Sequence, residues 1–107
     1  APAVTKAIAY IDENYMKQPG LESISKAAGV SSQHLCRLFR QTLNCRPMEY
    51  ITKRNIQAAK MLLAETQKTI DQIAGETGFC DSSYFCKIFQ RFESITPSQF
   101  RSIEQAL

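Results

Sequence analysis

The chain says nearly the same thing twice, and that duplication constrains its fold more than any other feature. Leu21-Glu22-Ser23-Ile24-Ser25-Lys26-Ala27-Ala28-Gly29-Val30 returns at an offset of 49 as Ile70-Asp71-Gln72-Ile73-Ala74-Gly75-Glu76-Thr77-Gly78-Phe79. One residue then enters, and the correspondence resumes at an offset of 50. Leu35-Cys36-Arg37-Leu38-Phe39 pairs with Phe85-Cys86-Lys87-Ile88-Phe89, Pro47 with Pro97, and Tyr50 with Phe100. Each copy has a short amphipathic segment, a turn carrying Gly, and a second segment with apolar residues four apart, which is helical spacing. Two copies are too few for a stacked solenoid, which needs at least three.

Helical periodicity runs through the whole chain. Val4, Ile8, Ile11 and Tyr15 form one stripe of a first helix that Pro19-Gly20 is expected to end. A second helix is expected over about Leu21 to Ala28, with Leu21, Ile24, Ala27 and Ala28 available to a core and Gly29 closing it in the left-handed conformation. Ser31 or Ser32 caps a third helix whose buried side is Leu35, Leu38 and Phe39. Asn44 is a plausible left-handed stop, since Asn tolerates positive φ better than other residues with a Cβ.

Pro47 suits the first turn of a longer fourth helix running to about Glu65, roughly 27 Å at 1.5 Å per residue. Its apolar stripe is Tyr50, Ile51, Ala58, Leu62 and Leu63. Thr69-Ile70-Asp71-Gln72 has capping-box spacing and opens a fifth helix ending at Gly78. Asp81 or Ser82 caps a sixth, with Tyr84, Phe85, Ile88, Phe89 and Phe92 as its apolar set. Thr96-Pro97-Ser98-Gln99 opens a short seventh. No segment alternates with period two for long enough to argue a strand. The reading is all-α: a first helix-turn-helix unit at about residues 4–45, a linker helix at about 47–65, and a second unit at about 69–107. In such a motif the second helix enters the DNA major groove.

Bulk properties narrow the function. The 107 residues are one domain's worth of chain, 44% apolar, with no run approaching the roughly 20 apolar residues of a membrane span. Net charge is only +3, but six cations (Arg37, Arg40, Arg46, Lys53, Arg54 and Lys60) face a single anion, Glu49, between residues 37 and 60. Cys36, Cys45, Cys80 and Cys86 include no C-x-x-C pair, and His34 is the sole histidine. The four read as reduced thiols of a cytoplasmic protein, with neither a metal site nor a disulfide framework. There is no Gly-rich phosphate loop and no H-E-x-x-H, and one histidine does not build a catalytic triad. We therefore expect a non-enzyme without cofactor. The competing reading is a helical interaction domain whose basic face binds an acidic protein.

The stretch from Ile73-Ala74 through Gly78-Phe79, then Tyr84-Phe85, Phe89, Thr96-Pro97-Ser98 and Phe100-Arg101, resembles the DNA-binding domain of AraC-type bacterial transcription regulators. The first half matches through Ile24, Gly29-Val30-Ser31, Leu35, Arg37, Phe39, Pro47, Tyr50 and Leu62-Leu63, so the resemblance covers essentially the whole chain. It implies two helix-turn-helix units joined by a long helix, double-stranded DNA as partner, and a setting at the bacterial nucleoid. It also implies contact with RNA polymerase, with activation and repression both open, and in most relatives an N-terminal effector or dimerisation domain outside this chain, a minority consisting of this domain alone. Asn44 and Ser94 depart from the Gly usual after each recognition helix, and Ser25 from the usual Ala. Asn55 departs from an Arg, and Arg46 stands where a Ser would cap better.

On that reading, the exposed side of each second helix supplies base contacts. Gln33, Cys36, Arg37 and Arg40 are the candidates on the first, and Ser82, Ser83, Cys86 and Lys87 on the second. Arg37 suits the bidentate contact to guanine O6 and N7, Gln33 an adenine, and Cys36 a thymine methyl. The second set is shorter and less directional, so weaker discrimination is expected there. Ser32, Arg46, Lys53, Arg54, Arg91, Thr96 and Ser98 are candidate phosphate contacts, the last two at a helix N-terminus. Phe39, Tyr50, Phe85, Phe89, Phe92 and Phe100 are expected to be core.

Overall fold

A computed structural model describes residues 2–107, and every regular element in it is helical. The order is α1 (Pro2–Asn14), a 3₁₀ turn (Tyr15–Lys17), α2 (Leu21–Ala28), α3 (Ser32–Leu43), α4 (Pro47–Glu65), α5 (Ile70–Glu76), α6 (Ser82–Glu93) and α7 (Pro97–Ala106). The all-α expectation with seven helices holds among the described residues. Two compact units divide the chain between Arg54 and Asn55, each with its own core, and α4 supplies side chains to both.

In the first unit Val4, Ala7 and Ile11 of α1 meet Ile24 and Ala28 of α2, Leu35 and Phe39 of α3, and Ile51 of α4. Tyr50 stands edge-on to Phe39, with ring centroids 6.0 Å apart. α1 stops earlier than Pro19-Gly20 would require. Asn14 leaves helical geometry (φ −127°), its side-chain amide donates to the Tyr10 carbonyl at 2.9 Å, and the 3₁₀ turn follows, closed by Gln18 in the left-handed conformation. Short polar side chains that bond local backbone compete with the helix in this way. Ala27, expected in the core, is exposed; Ser25 takes the buried side with Ile24 and Ala28. That placement costs little, because the Ser25 hydroxyl lies 3.0 Å from the Glu22 carbonyl, to which it donates, and 3.1 Å from Ser32 Oγ.

The second unit repeats the plan with more aromatic content. Ile56, Ala59 and Leu63 of α4 pack with Ile73 and Ala74 of α5, Phe79, and Phe85, Ile88 and Phe89 of α6. Ring centroids link Phe79 to Phe85 (5.0 Å), Phe85 to Phe89 (5.7 Å) and Phe89 to Phe100 (5.6 Å). Two residues assigned to this core by pattern are not in it: Tyr84 is 49% exposed and Phe92 38%. Tyr84 sits one position, about 100°, off the Phe85–Phe89 stripe, and Phe92 falls in the last turn of α6, past the end of the core. The last carbonyls of α4 are satisfied from α7: Arg101 donates to the Leu63 and Thr66 carbonyls at 3.2 and 3.3 Å, and Gln105 to the same two at 3.0 Å. A cation there also complements the helix dipole.

Turn chemistry matches copy for copy. Gly29 and Gly78 are left-handed at φ 75° and 90°, and the amides of Val30 and Phe79 reach back to the carbonyls of Ser25 and Ala74 at 3.1 and 2.9 Å. This six-to-one bond is half of the Schellman turn, and only Gly takes such φ values without a Cβ penalty. After each second helix Asn44 (φ 55°) and Ser94 (φ 70°) hold the left-handed position despite their side chains. Two stability outcomes follow, read by chemical denaturation. Ser94→Gly should stabilise by about 0.5–1 kcal/mol and Asn44→Gly by less, since Asn already tolerates this region and added chain entropy offsets part of the gain. Phe89→Ala should cost about 3–5 kcal/mol, against less than about 1 kcal/mol for Phe92→Ala.

Candidate nucleic-acid interface

α3 begins where the extended Ser31 accepts the His34 amide at 3.1 Å, an N-cap bond that leaves Ser32 as the first helical residue. Leu35 and Phe39 turn one side of α3 into the core. Gln33, Cys36, Arg37 and Arg40, at i, i+3, i+4 and i+7, then share another side. Gln33, Arg37 and Arg40 are exposed and Cys36 is half-buried. These four line a shallow cleft of about 230 Å³ together with Arg46, which lies outside α3 on the residue preceding α4. None of the three arginines has an acidic partner among the described residues. Arg46 is held by its backbone instead: its amide donates to Glu49 Oε1 at 3.2 Å, and its carbonyl accepts the Tyr50 amide at 3.1 Å. Glu49 thus supplies half of a capping box where Arg46 itself has no acceptor to offer.

α6 is entered the same way, with Asp81 accepting the Tyr84 amide at 2.7 Å. Ser83 and Lys87 are exposed, whereas Ser82 and Cys86 are half-buried. Cys86 packs against the aromatic core of its own unit. Burial pushes its thiol above the usual pKa, and the charge of Asp71 pushes the same way, so the sulfur stays protonated at neutral pH. A buried thiol of this kind offers van der Waals contact and little else.

The candidate phosphate contacts separate into engaged and available groups. Arg54 is engaged: its Nε lies 3.2 Å from Asp12 Oδ1 and its guanidinium sits 4.4 Å above the Tyr15 ring, so its charge is spent within the first unit. Lys60, counted in the same cation-rich stretch, pairs with Glu93 at 3.1 Å. Ser32 bonds Ser25. Thr96 is engaged in its capping box, its amide donating to Gln99 Oε1 at 2.9 Å and its hydroxyl accepting the Gln99 amide at 3.1 Å, which leaves the hydroxyl hydrogen as a donor. Ser98 is exposed and its amide stands outside that box. Lys53 and Arg91 are exposed and form no ion pair among the described residues.

Charge differs sharply between the units. Residues 1–54 carry eight Lys and Arg against four Asp and Glu, while residues 55–107 carry five against six. The whole net positive charge therefore belongs to the first unit. Reasoning from periodicity missed Tyr84, whose exposed ring leans on Phe79 (6.2 Å between centroids) beside Ser83 at the start of α6. Its single-position offset from the buried stripe was the available signal.

A helix-turn-helix domain family matches residues 24–103. The lactose operon transcription activator of Staphylococcus xylosus is 32% identical over 98 residues, which cover 92% of this chain and 35% of that protein. The chain spans about a third of the length of the curated relatives it matches. An AraC-type transcriptional regulator from Chromobacterium violaceum superposes with a TM-score of 0.91 at 30% identity, covering 96% of this chain and 92% of that one. The C-terminal domain of AraT, a response regulator from Geobacillus stearothermophilus, gives 0.91 at 29% identity, covering 96% and 86%. With the duplicated caps and turns, these likenesses show that the chain belongs to the AraC-type helix-turn-helix DNA-binding domains of transcription regulators.

Proposed function

We propose that α3 inserts in a major groove and reads base edges through Gln33, Cys36 and Arg37, while α6 meets a successive groove segment with weaker discrimination through Ser82, Ser83 and Lys87. Cys86 contributes only apolar contact. One observation carries this reading: three arginines without acidic partners line one cleft on the outward side of α3. Guanidinium forks match the paired acceptors of guanine and of phosphate. Lys53, Arg91 and the Ser98 amide supply backbone contacts, with the Ser32 and Thr96 hydroxyls in minor roles. Arg54, bound to Asp12 and Tyr15, supports the fold instead.

Activation of transcription through RNA polymerase, under an N-terminal effector or dimerisation domain in the bacterial cytoplasm, extends the same reading to the whole protein. It draws on the family and on the fraction of the relatives' length that this chain spans. The unequal charge of the units supports asymmetric binding by a single molecule. Phosphate neutralisation dominates affinity, and only the first unit has a surplus of cations.

Arg37→Ala should weaken specific binding by about 1–3 kcal/mol and relax preference at one base position, measured by selection from randomised duplexes. Unchanged preference at every position would remove Arg37 from the reading set. The footprint should span about two helical turns, roughly 34 Å from groove to groove, with strong base preference in one half only. Two equal inverted half-sites occupied only by a dimer would overturn the single-molecule reading.

A further inference from the structure

We propose that Arg40 is a backbone-phosphate contact, not a base reader, and that Arg40 and Arg46 together hold one phosphodiester of the duplex in the cleft beside α3. The inference rests on the function proposed above and assigns a different task to one residue of the same face. The helical stripe alone groups Arg40 with Gln33, Cys36 and Arg37; its place along the helix separates it from them, and two further features of the cleft fit a phosphate.

Position along the helix is the first. Arg40 is two turns past Gln33, on the order of 10 Å along the axis of α3, and one turn past Arg37. A recognition helix presents the residues near its N-terminus to base edges, so its later turns lie toward the backbone. The second is the company Arg40 keeps. With Gln33, Cys36 and Arg37 it lines the cleft that Arg46 completes from outside α3, on the residue that precedes the first of α4. A side chain from outside the inserted helix is placed to meet the groove wall, where the phosphates are.

The third is chemistry. Arg40 and Arg46 are both exposed, and neither has a carboxylate partner among the described residues. The nearby Glu49 accepts the backbone amide of Arg46 through one oxygen and does not line the cleft. Three guanidiniums, that of Arg37 included, gathered in a cleft with no carboxylate in its lining are matched by a ligand with several acceptor oxygens and a full negative charge, which describes a phosphodiester.

The test uses the 107-residue chain and a fluorescent duplex selected by the unaltered protein, with affinity measured by anisotropy across a salt series and base preference by selection. Arg40→Ala and Arg46→Ala should each flatten the slope of log K against log salt, by about 0.9 at most even when combined because one phosphate is shared, and weaken all sequences alike, with base preference unchanged. Arg40→Lys, which keeps the charge, should restore the slope. Circular dichroism should show full helicity in each variant, since both side chains are exposed. Altered preference at one base position with an unchanged slope in Arg40→Ala would make Arg40 a base reader and overturn the inference. Competition by inorganic phosphate at matched ionic strength, lost in Arg40→Ala, would overturn it differently, by assigning the cleft to a free anion. Failure of the unaltered chain to bind any duplex in a salt-dependent way would strike the proposed function itself, a result separable from these.

Discussion

Everything on the outward face of this molecule depends on two pairs of buried residues, each four apart. Leu35 and Phe39 in α3, and Phe85 and Phe89 in α6, are all fully buried. A helix with two such anchors one turn apart cannot rotate about its axis without exposing an aromatic ring, at a cost of about 1.5–3 kcal/mol per large apolar side chain. Once rotation is set, the exposure of Gln33, Arg37 and Arg40 in one copy, and of Ser83 and Lys87 in the other, is a consequence of helical geometry.

The angle at which each second helix leaves the first is set by the intervening turn, and the same chemistry is used twice. A left-handed Gly ends the first helix, an amide reaches five residues back, and Ser31 or Asp81 caps the second. The copies tolerate different outward residues because these bonds involve backbone and caps alone. Duplication thus preserved the scaffold while the two surfaces diverged.

Divergence is clearest in charge. The first copy pairs long donors with an arginine-lined cleft, and the second carries serines, a core-packed thiol and a slight excess of acid. Several cations that composition would assign to a polyanion are used inside the units: Arg54 on Asp12 and Tyr15, Lys60 on Glu93, and Arg101 on the carbonyls ending α4. Arg101 and Gln105 close α4 from a helix more than 30 positions away in the chain. The ending Phe100-Arg101 thus serves the second core through Phe100 and the end of α4 through Arg101, although neither residue lies on a recognition helix.

Local patterns in the chain determined the helix count, both capping boxes, the left-handed positions at Gly29 and Asn44, the helix end at Gly78, and the buried pairs of α3 and α6. These depend on residues within about six positions of one another, so spacing alone reveals them. Tertiary structure decided what depends on distant partners. It stopped α1 at Asn14, left Tyr84 and Phe92 partly exposed, buried Ser25 in preference to Ala27, withdrew Arg54 and Lys60 into ion pairs, and brought Arg46 into the cleft of α3. Periodicity reports which side of a helix is apolar. Where that side runs out, and which charges find a partner across the fold, depends on contacts between residues far apart in the chain.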